Sequence, residues 1–446
     1  MATATASKDE QQRMQQQARA WDAYFGRMKK PFKATRRGSD DNILVNRCRP
    51  IVNKGASFLF GKLVRFEMPA GAPRAKSAQR YLDATWKANR QTTILQKLAV
   101  TGGVTGQAMI KIIPTFPYPT LKVIDTANVT ITTLPDDVDT VIAYAINYMG
   151  QDPLGQPAPC RQLIALLPDN VTWGIMDQWQ DGNEVWQMHH ALVEWPYPFA
   201  PVVMAQNMVA PNQVWGLSDL EADLIAINDD INFILSNAAR ILRFHANPKT
   251  VGKGFDASKL NITSDGTIML PTETASLQML EMNSDLSSSL NFVTRLQSAM
   301  DELSHVPSIS LGTYNDMPRG TVSGIALQIL YQPLTEKTDG KRGTYGEMLV
   351  ELCSRLLVIG GYLPADVVIH WPNVVPTNDL DEAQVALLWQ QLGVSQTTIW
   401  AKLDLDPEAE AENVAEAKQD GLAPPPPAPQ DPAQQPEQVA PAPLAS

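Results

Sequence analysis

Few residues in this 446-residue chain have chemistry to offer, and none sits in a complete constellation. Gly102-Gly103-Val104-Thr105-Gly106 has the glycine density of a phosphate-cradling loop. It lacks the Lys-Ser/Thr pair that would reach β/γ-phosphates and Mg²⁺, and it leads into a strand pattern, so it reads as a helix-to-strand turn. His189-His190 is the only histidine pair. Neighbours on a strand point to opposite faces, so the two are not expected to share a metal. Asp136-Asp137 and Asp229-Asp230 are carboxylate pairs of the kind general acid–base chemistry uses. The first follows Pro135 in a turn and the second falls on the polar side of a helix, so both read as solvated surface. Cys48, Cys160 and Cys353 are isolated, without C-x-x-C spacing, as in a reduced cytosolic protein with neither a disulfide framework nor a zinc site. G-x-S-x-G, H-E-x-x-H and Walker A patterns are missing. The sequence proposes no enzyme, no metal and no cofactor.

Bulk properties narrow the classes further. Apolar residues make up 44% of the chain, enough for a sizeable core, and the length suits about three domains or one multi-part subunit. A net charge of −11 argues against coating DNA through a broad basic face, though not against letting DNA pass. Met1 to Met14 is polar, with no apolar signal-peptide core, and no run approaches the roughly 20 apolar residues of a spanning helix. A soluble protein is expected.

The elements that must position any function concentrate between Trp215 and Leu334. Leu217, Leu220, Leu224, Ile227, Ile231, Ile234, Ala238 and Ile241 repeat at helical spacing, as do Leu286, Leu290, Val293, Leu296, Met300 and Leu303. Ser218, Asp219, Glu221 and Asp223 near the start of the first helix, with Arg240 and Arg243 near its end, suit the macrodipole; Asn247-Pro248 should stop it. Between the two lies an excursion, 248–282, with two or three short strands around a Ser264-Asp265-Gly266 turn. After them, Gly312, Pro318, Gly320 and Gly324 break the chain into a loop. Upstream, a helix is expected from Lys8 to Met28, followed by the basic patch Lys29, Lys30, Lys33, Arg36 and Arg37. That patch is either a solvated linker or an electrostatic contact. Helices are expected over Asn42–Phe60, capped by Gly61, and over Ser77–Leu98. Seven β-rich runs between Met109 and Val193, with connections too short for crossover helices, should pair antiparallel. Downstream, helices are expected over Val322–Leu330 and Gly343–Ile359, separated or kinked at Pro333, then over Asp379–Leu392, Gln396–Leu403 and Pro407–Lys418. Residues 421–446 hold nine prolines and read as a disordered or polyproline tail.

The order of these parts resembles the portal (head-to-tail connector) proteins of tailed bacteriophages, from about Asn42 to Ala415. The likeness is carried by Asn46-Arg47-Cys48-Arg49-Pro50-Ile51-Val52-Asn53 with Phe58-Leu59-Phe60-Gly61, by Leu121-Lys122-Val123 with Asn128-Val129-Thr130-Ile131, and by Pro201-Val202-Val203 and Asn207 ahead of Gly216-Leu217-Ser218-Asp219-Leu220. Trp371-Pro372-Asn373 with Pro376, then Gly393-Val394-Ser395 and Asp406-Pro407-Glu408, complete it.

The resemblance implies an α+β, elongated portal-type subunit. Its parts would be an N-terminal basic, helical arm (1–39), a mixed α+β wing (40–213 with part of 325–373), a first stem helix (214–247), a small α/β clip (248–283) and a second stem helix (284–306). A tunnel loop (307–324), a kinked helix returning to the wing (325–373), a small helical crown (374–418) and the Pro-rich tail (419–446) would follow. Stem packing falls to Leu220, Leu224, Ile227, Ile231, Leu290, Val293 and Leu296. The tunnel loop would present Gly312, Asp316, Met317, Arg319 and Gly320 to DNA, with Arg319 either touching phosphates or paired to Asp316. The clip would present Lys253, Phe255, Asp265 and Gly266 to partners. The family further implies a virion protein assembled in the host cytoplasm as a twelve-fold ring around dsDNA. Its partners would be the terminase large subunit, the head–tail connector or adaptor, and the major capsid and scaffolding proteins, with no membrane. An acidic channel wall fits a sliding polyanion. Two other readings are a nucleotide-dependent packaging factor, which lacks its phosphate loop, and a structural capsid or adaptor subunit without a DNA path, which the broken loop disfavours.

Overall fold

Helical and alternating patterns occupy separate stretches of the chain, and each finds its own partners in space. The computed structural model describes residues 8–33, 42–69, 71–246, 250–253, 261–262, 268–269, 276–279, 286–311, 324–374, 379–402, 410–411 and 413–415. The chain divides into two units, Met1–Pro376 and Thr377–Ser446. The second holds α8 (Asp379–Gln391) and α9 (Gln396–Lys402), which pack on each other.

The first unit is mixed α+β. Its helices are α1 (Lys8–Phe25), α2 (Cys48–Phe60), α3 (Ala75–Ala88), α4 (Gln91–Thr105), α5 (Ala222–Ala246), α6 (Ser287–Ser304) and α7 (Gly324–Ile359). The expected β-rich runs all appear: β2 (Gln107–Ile113), β3 (Thr120–Val123), β4 (Val129–Leu134), β5 (Asp137–Gln151), β6 (Pro157–Leu166), β7 (Trp173–Gln180) and β8 (Trp186–Glu194). Three further short strands, β1 (Arg65–Glu67), β9 (Val202–Gln206) and β14 (Val368–His370), have too few residues for a period to show. Strands β4 to β8 form a five-stranded meander, β3-β2-β9 a three-stranded sheet, and β1-β14 a ribbon; all described pairs are antiparallel.

The main core joins α2, α3, α4, β2 and the second half of α7 around Leu59, Trp86, Leu98, Ile110, Tyr345 and Leu352. A second core seals one face of the meander with Val129, Tyr144, Ile164 and Trp173 against Trp195 and Met109. A third, around Ile231, Met300 and Leu334, gathers α5, α6, α2 and the start of α7.

Several expected boundaries move. The Ser77–Leu98 helix is two helices, broken at Asn89-Arg90, where Arg90 adopts a left-handed φ of 52°. Residues 42–47 are not helical, and α2 starts at Cys48. The helix expected from 214 begins at Ala222. α7 runs unbroken through Pro333. The proline faces outward while its neighbour Leu334 is buried, so solvent can satisfy the carbonyl freed by the missing N–H. The excursion after α5 holds four short strands, β10 (Thr250–Lys253), β11 (Asn261–Ile262), β12 (Ile268–Met269) and β13 (Ser276–Met279), paired as β10-β13 and β11-β12. The Ser264-Asp265-Gly266 turn, residues 312–323 and the tail 416–446 lie outside the described residues.

The glycines of the apparent phosphate loop have steric explanations. Gly102 and Gly103 belong to α4, and Gly106 alone makes the helix-to-strand turn, at φ +83°. A Cβ at Gly102 would run into the Tyr345 hydroxyl, and one at Gly103 would lie 2.8 Å from Asp219 Oδ2. Gly102→Ala should therefore lower stability by about 1–3 kcal/mol through overpacking, read as a fall in Tm. Gly182→Ala, where a Cβ meets nothing within 4 Å, should stay within about 0.5 kcal/mol of the parent.

Candidate functional site

A hydrogen-bonded turn leads into helix α5. In Ser218-Asp219-Leu220-Glu221, Ser218 Oγ accepts from the Leu220 N–H at 2.8 Å and Glu221 Oε1 accepts from the Ser218 N–H at 2.9 Å. These two bonds close a non-helical turn just ahead of α5, whose first intrahelical bond runs from the Ile225 N–H to the Glu221 carbonyl at 3.2 Å. The helix then shows two working faces. Its apolar face, Leu224, Ile227, Ile231, Ile234 and Leu235, packs on Val293, Leu296 and Met300 of α6 and on Ile51 and Phe58 of α2. Leu220 is also buried, but in a separate cluster with Val52, Val104 and Ile225 beneath α1. Leu290 is 51% exposed in the single subunit. The apolar stripe outruns its partners there, as it does on α5 at Leu242, 56% exposed.

The adjacent face of α5 is a buried polar ladder. The N–H groups of Ile43, Val45 and Arg47 donate to Ser236 Oγ, Asn232 Oδ1 and Asn228 Oδ1 at 2.9, 2.8 and 3.1 Å. Every second residue of an extended chain advances about 6.6 Å, and every fourth residue of a helix about 6 Å. The two repeats match closely enough for three rungs. This is why residues 42–47 stay extended: their backbone donors are satisfied by side chains instead of by a helix.

Three ionic side chains close the junction between α5, α6 and α7. Asp219 is 3% exposed, and its carboxylate accepts from Lys341 Nζ at 2.8 and 2.6 Å. Lys337 Nζ lies 3.0 Å from Asp219 Oδ1 and donates to the Ser304 carbonyl at the end of α6 at 2.9 Å. Asn207 joins the group: its Nδ2 faces Asp219 Oδ1 at 3.4 Å and its Oδ1 accepts from the Tyr345 hydroxyl at 3.2 Å. The Asp219 N–H donates to the Gly103 carbonyl at 2.8 Å. Burial alone would raise the Asp219 carboxyl, but Lys341 and Lys337 hold it below its ordinary 3.8, at about 2. Burial pushes Lys341 downward, an effect that Asp219 opposes and Lys337 reinforces. A second ion pair, Arg47–Asp301 at 3.2 Å, ties the start of α2 to α6.

Most of the expected DNA- and partner-facing residues cannot be placed. Gly312, Asp316, Met317, Arg319, Gly320, Phe255, Asp265 and Gly266 lie outside the described residues. Lys253 is exposed at the end of β10, opposite Ser276 of β13. The flanks of segment 312–323 are placed: Leu311 on one side, and Tyr331 and Leu334 on the other, enter the core that pairs α5 with α6.

The other chemical candidates find ordinary explanations. The alternation argument for His189-His190 fails, because a register shift in the β7–β8 ladder lets the two rings meet with centroids 4.5 Å apart. No group of three or more His, Cys, Asp or Glu side chains suited to a metal occurs among the described residues. Asp229 is half-exposed and pairs with Arg19 at 3.5 Å, and Asp137 hydrogen-bonds Thr140 in an exposed turn. Burial pushes the Cys48 and Cys353 thiols up to about 12, so neither is a ready nucleophile. No described helix is long and apolar enough to cross a membrane.

The ion cluster was missed from sequence. Lys337 and Lys341 share a helical face with Leu334, Thr338 and Tyr345, all buried, and that interruption of an apolar stripe was the available signal. Asp219 was read as a dipole partner because it stands at a helix start. Asp219→Asn would leave two ammonium groups buried against a neutral amide, costing about 3–5 kcal/mol, a larger fall in Tm than Lys337→Met should cause. The depressed carboxyl also has a pH signature. Its stabilisation is fully present above the unfolded-state value of 3.8 and is lost as pH falls through about 2, a loss of about 2 kcal/mol. Acid titration of stability between those values should be flatter in Asp219→Asn than in the parent.

Comparison with known proteins yields three findings. No curated protein matches the sequence. Among solved structures, the chain is similar to one in the neck of an empty gene transfer agent particle computed with C6 symmetry. The two share 14% identity with a TM-score of 0.47, over 81% of this chain and 90% of that one. It is also similar to a chain in the virion of a native gene transfer agent particle, at 14% identity and a TM-score of 0.44, over 80% of this chain and 90% of that one. Residues 204–421 match the family model for phage portal proteins of the SPP1 Gp6-like type. That matched stretch, just under half of the chain, carries α5, α6, the ion cluster and α7.

Proposed function

We propose that this chain is the subunit of a ring at one capsid vertex, through which dsDNA is packaged and ejected. The observation that carries the reading is that Leu311, just before segment 312–323, and Tyr331 and Leu334, further along α7, enter the core that pairs α5 with α6. A Gly/Pro-broken segment joining α6 to α7 beside that core suits a constriction in a channel. In this reading residues 214–247 and 284–306 are the stem, 307–324 the tunnel loop and 248–283 the clip. Residues 40–213 with part of 325–373 form the wing, and 374–418 the crown.

Two features support the assignment. Leu242, Leu290, Phe292 and Leu303 on α5 and α6 are half-exposed apolar side chains that a neighbouring copy could cover. The net charge of −11 keeps a polyanion from being trapped. Terminase and the head–tail connector would dock on the clip, and major capsid and scaffolding proteins on the body. A capsid or adaptor subunit without a DNA path is the competing reading, and it gives that segment no task.

Negative-stain images of the purified protein should show rings, twelve-fold in this reading, with a central hole of DNA width. A monodisperse monomer at micromolar concentration would overturn ring formation. Deleting residues 312–320 should leave the rings intact and sharply reduce packaged DNA in assembled particles; wild-type packaging by that deletion would sink the channel assignment.

A further inference from the structure

Helix α7 belongs to two cores. Its first part contributes Tyr331 and Leu334 to the core shared with α5 and α6, while Tyr345, Met348, Leu349 and Leu352 lie in the main core. The stretch between is poor helix material. Pro333 precedes it, Gly340 and Gly343 fall within it with open space around them, and Thr335 and Thr338 bond back to the Tyr331 and Leu334 carbonyls at 3.0 and 2.7 Å. Lys337 and Lys341, one turn apart, sit on this border and both reach Asp219.

Their attachments differ. Lys341 engages both carboxylate oxygens and nothing on α6. Lys337 shares one of those oxygens and spends its other close contact on the Ser304 carbonyl, at the last residue of α6. It is thus a single side chain bridging α7, the entry of α5 and the end of α6. If Lys337 lets go, Asp219 keeps a two-point partner in Lys341, so release of the outer helices leaves no bare carboxylate in the core.

We propose that Lys337 is a positioning residue that locks an outer layer, α6 with the first turns of α7, to the remainder of the subunit, and that this layer opens as one cooperative unit about the soft middle of α7. The Asp219–Lys341 pair stays closed during that opening. The inference concerns the isolated subunit and stands whether or not the chain forms a ring.

Hydrogen exchange of the full-length protein tests it. In the parent chain under increasing denaturant, amides of 287–304 and 328–336 should share one opening that is easier than that of 345–359. A single opening common to all three would overturn the proposal. Lys337→Met should speed exchange in 287–304 and 328–336 about ten- to hundredfold, the effect of losing a charge-assisted hydrogen bond. Residues 345–359 and 91–105 should keep parental rates. Lys337→Arg, whose guanidinium can reach both acceptors, should restore most of the protection. Unchanged exchange in α6, or equal acceleration in α6 and 345–359, would sink the idea, the second result marking Lys337 as an ordinary stabilising residue. If Lys337→Met does not fold, the parental denaturant series alone still decides.

Discussion

The carboxylate of Asp219 is the constraint around which the rest is arranged. A bare carboxylate at that depth would be expelled or protonated. Its retention demands cations, and the cations must come from an element that passes the start of α5 within hydrogen-bonding distance. That requirement fixes where α7 crosses, because Lys337 and Lys341 must both present their ammonium groups to one side chain. It also explains Gly103, since a Cβ there would crowd the same oxygen. Asn207 and Tyr345 fill the remaining polar valence, so the end of β9, the end of α4 and the middle of α7 meet at one point.

From that point α5 works as a two-sided beam. Its apolar side recruits α6, and its Asn228–Asn232–Ser236 side captures the extended chain leading into α2. A third face of α5, with Asp223, Ala226, Asp230 and Phe233, is exposed, and at the far ends of α5 and α6 both apolar stripes run on into solvent. The insertion carrying β10 to β13 pairs within the chain, and its backbone needs no neighbour for the ladders it makes. In the proposed ring the exposed apolar ends would be left for assembly.

How much of this could be read from sequence depended on the range of the determining contact. The α5 and α6 stripes and the β4 to β8 runs were legible because hydrophobic period reports local burial. Val293 and Ile231 obeyed it. Leu290 did not, since period names a face and cannot say where along the helix the partner stops. The extended run 42–47 read as helix because its backbone partners lie on a helix nearly two hundred positions away in sequence. Pro333 read as a break because the burial of Leu334 that holds α7 together there comes from other elements. His189-His190 misled because a register shift cancels strand alternation. The ion cluster was the largest loss: two lysines on a helix look like solvent-exposed charge until Asp219, more than a hundred positions upstream, is placed beside them. The expected channel residues of 312–320 lie outside the described residues, so the structure neither places nor displaces them.

A buried ion cluster is a poor source of net stability, since well-packed apolar groups of similar volume often do as well or better. What it supplies is register. An apolar contact between α7 and the start of α5 could slide by part of a turn at small cost, because hydrophobic packing is non-directional. A carboxylate that must meet two ammonium groups four residues apart admits one alignment. In the proposed channel α6 and α7 flank the segment that would face DNA, and sliding by one turn would move it by about 5.4 Å. In the proposed ring the cluster would give what apolar packing does not: the same placement of the same segment in every copy.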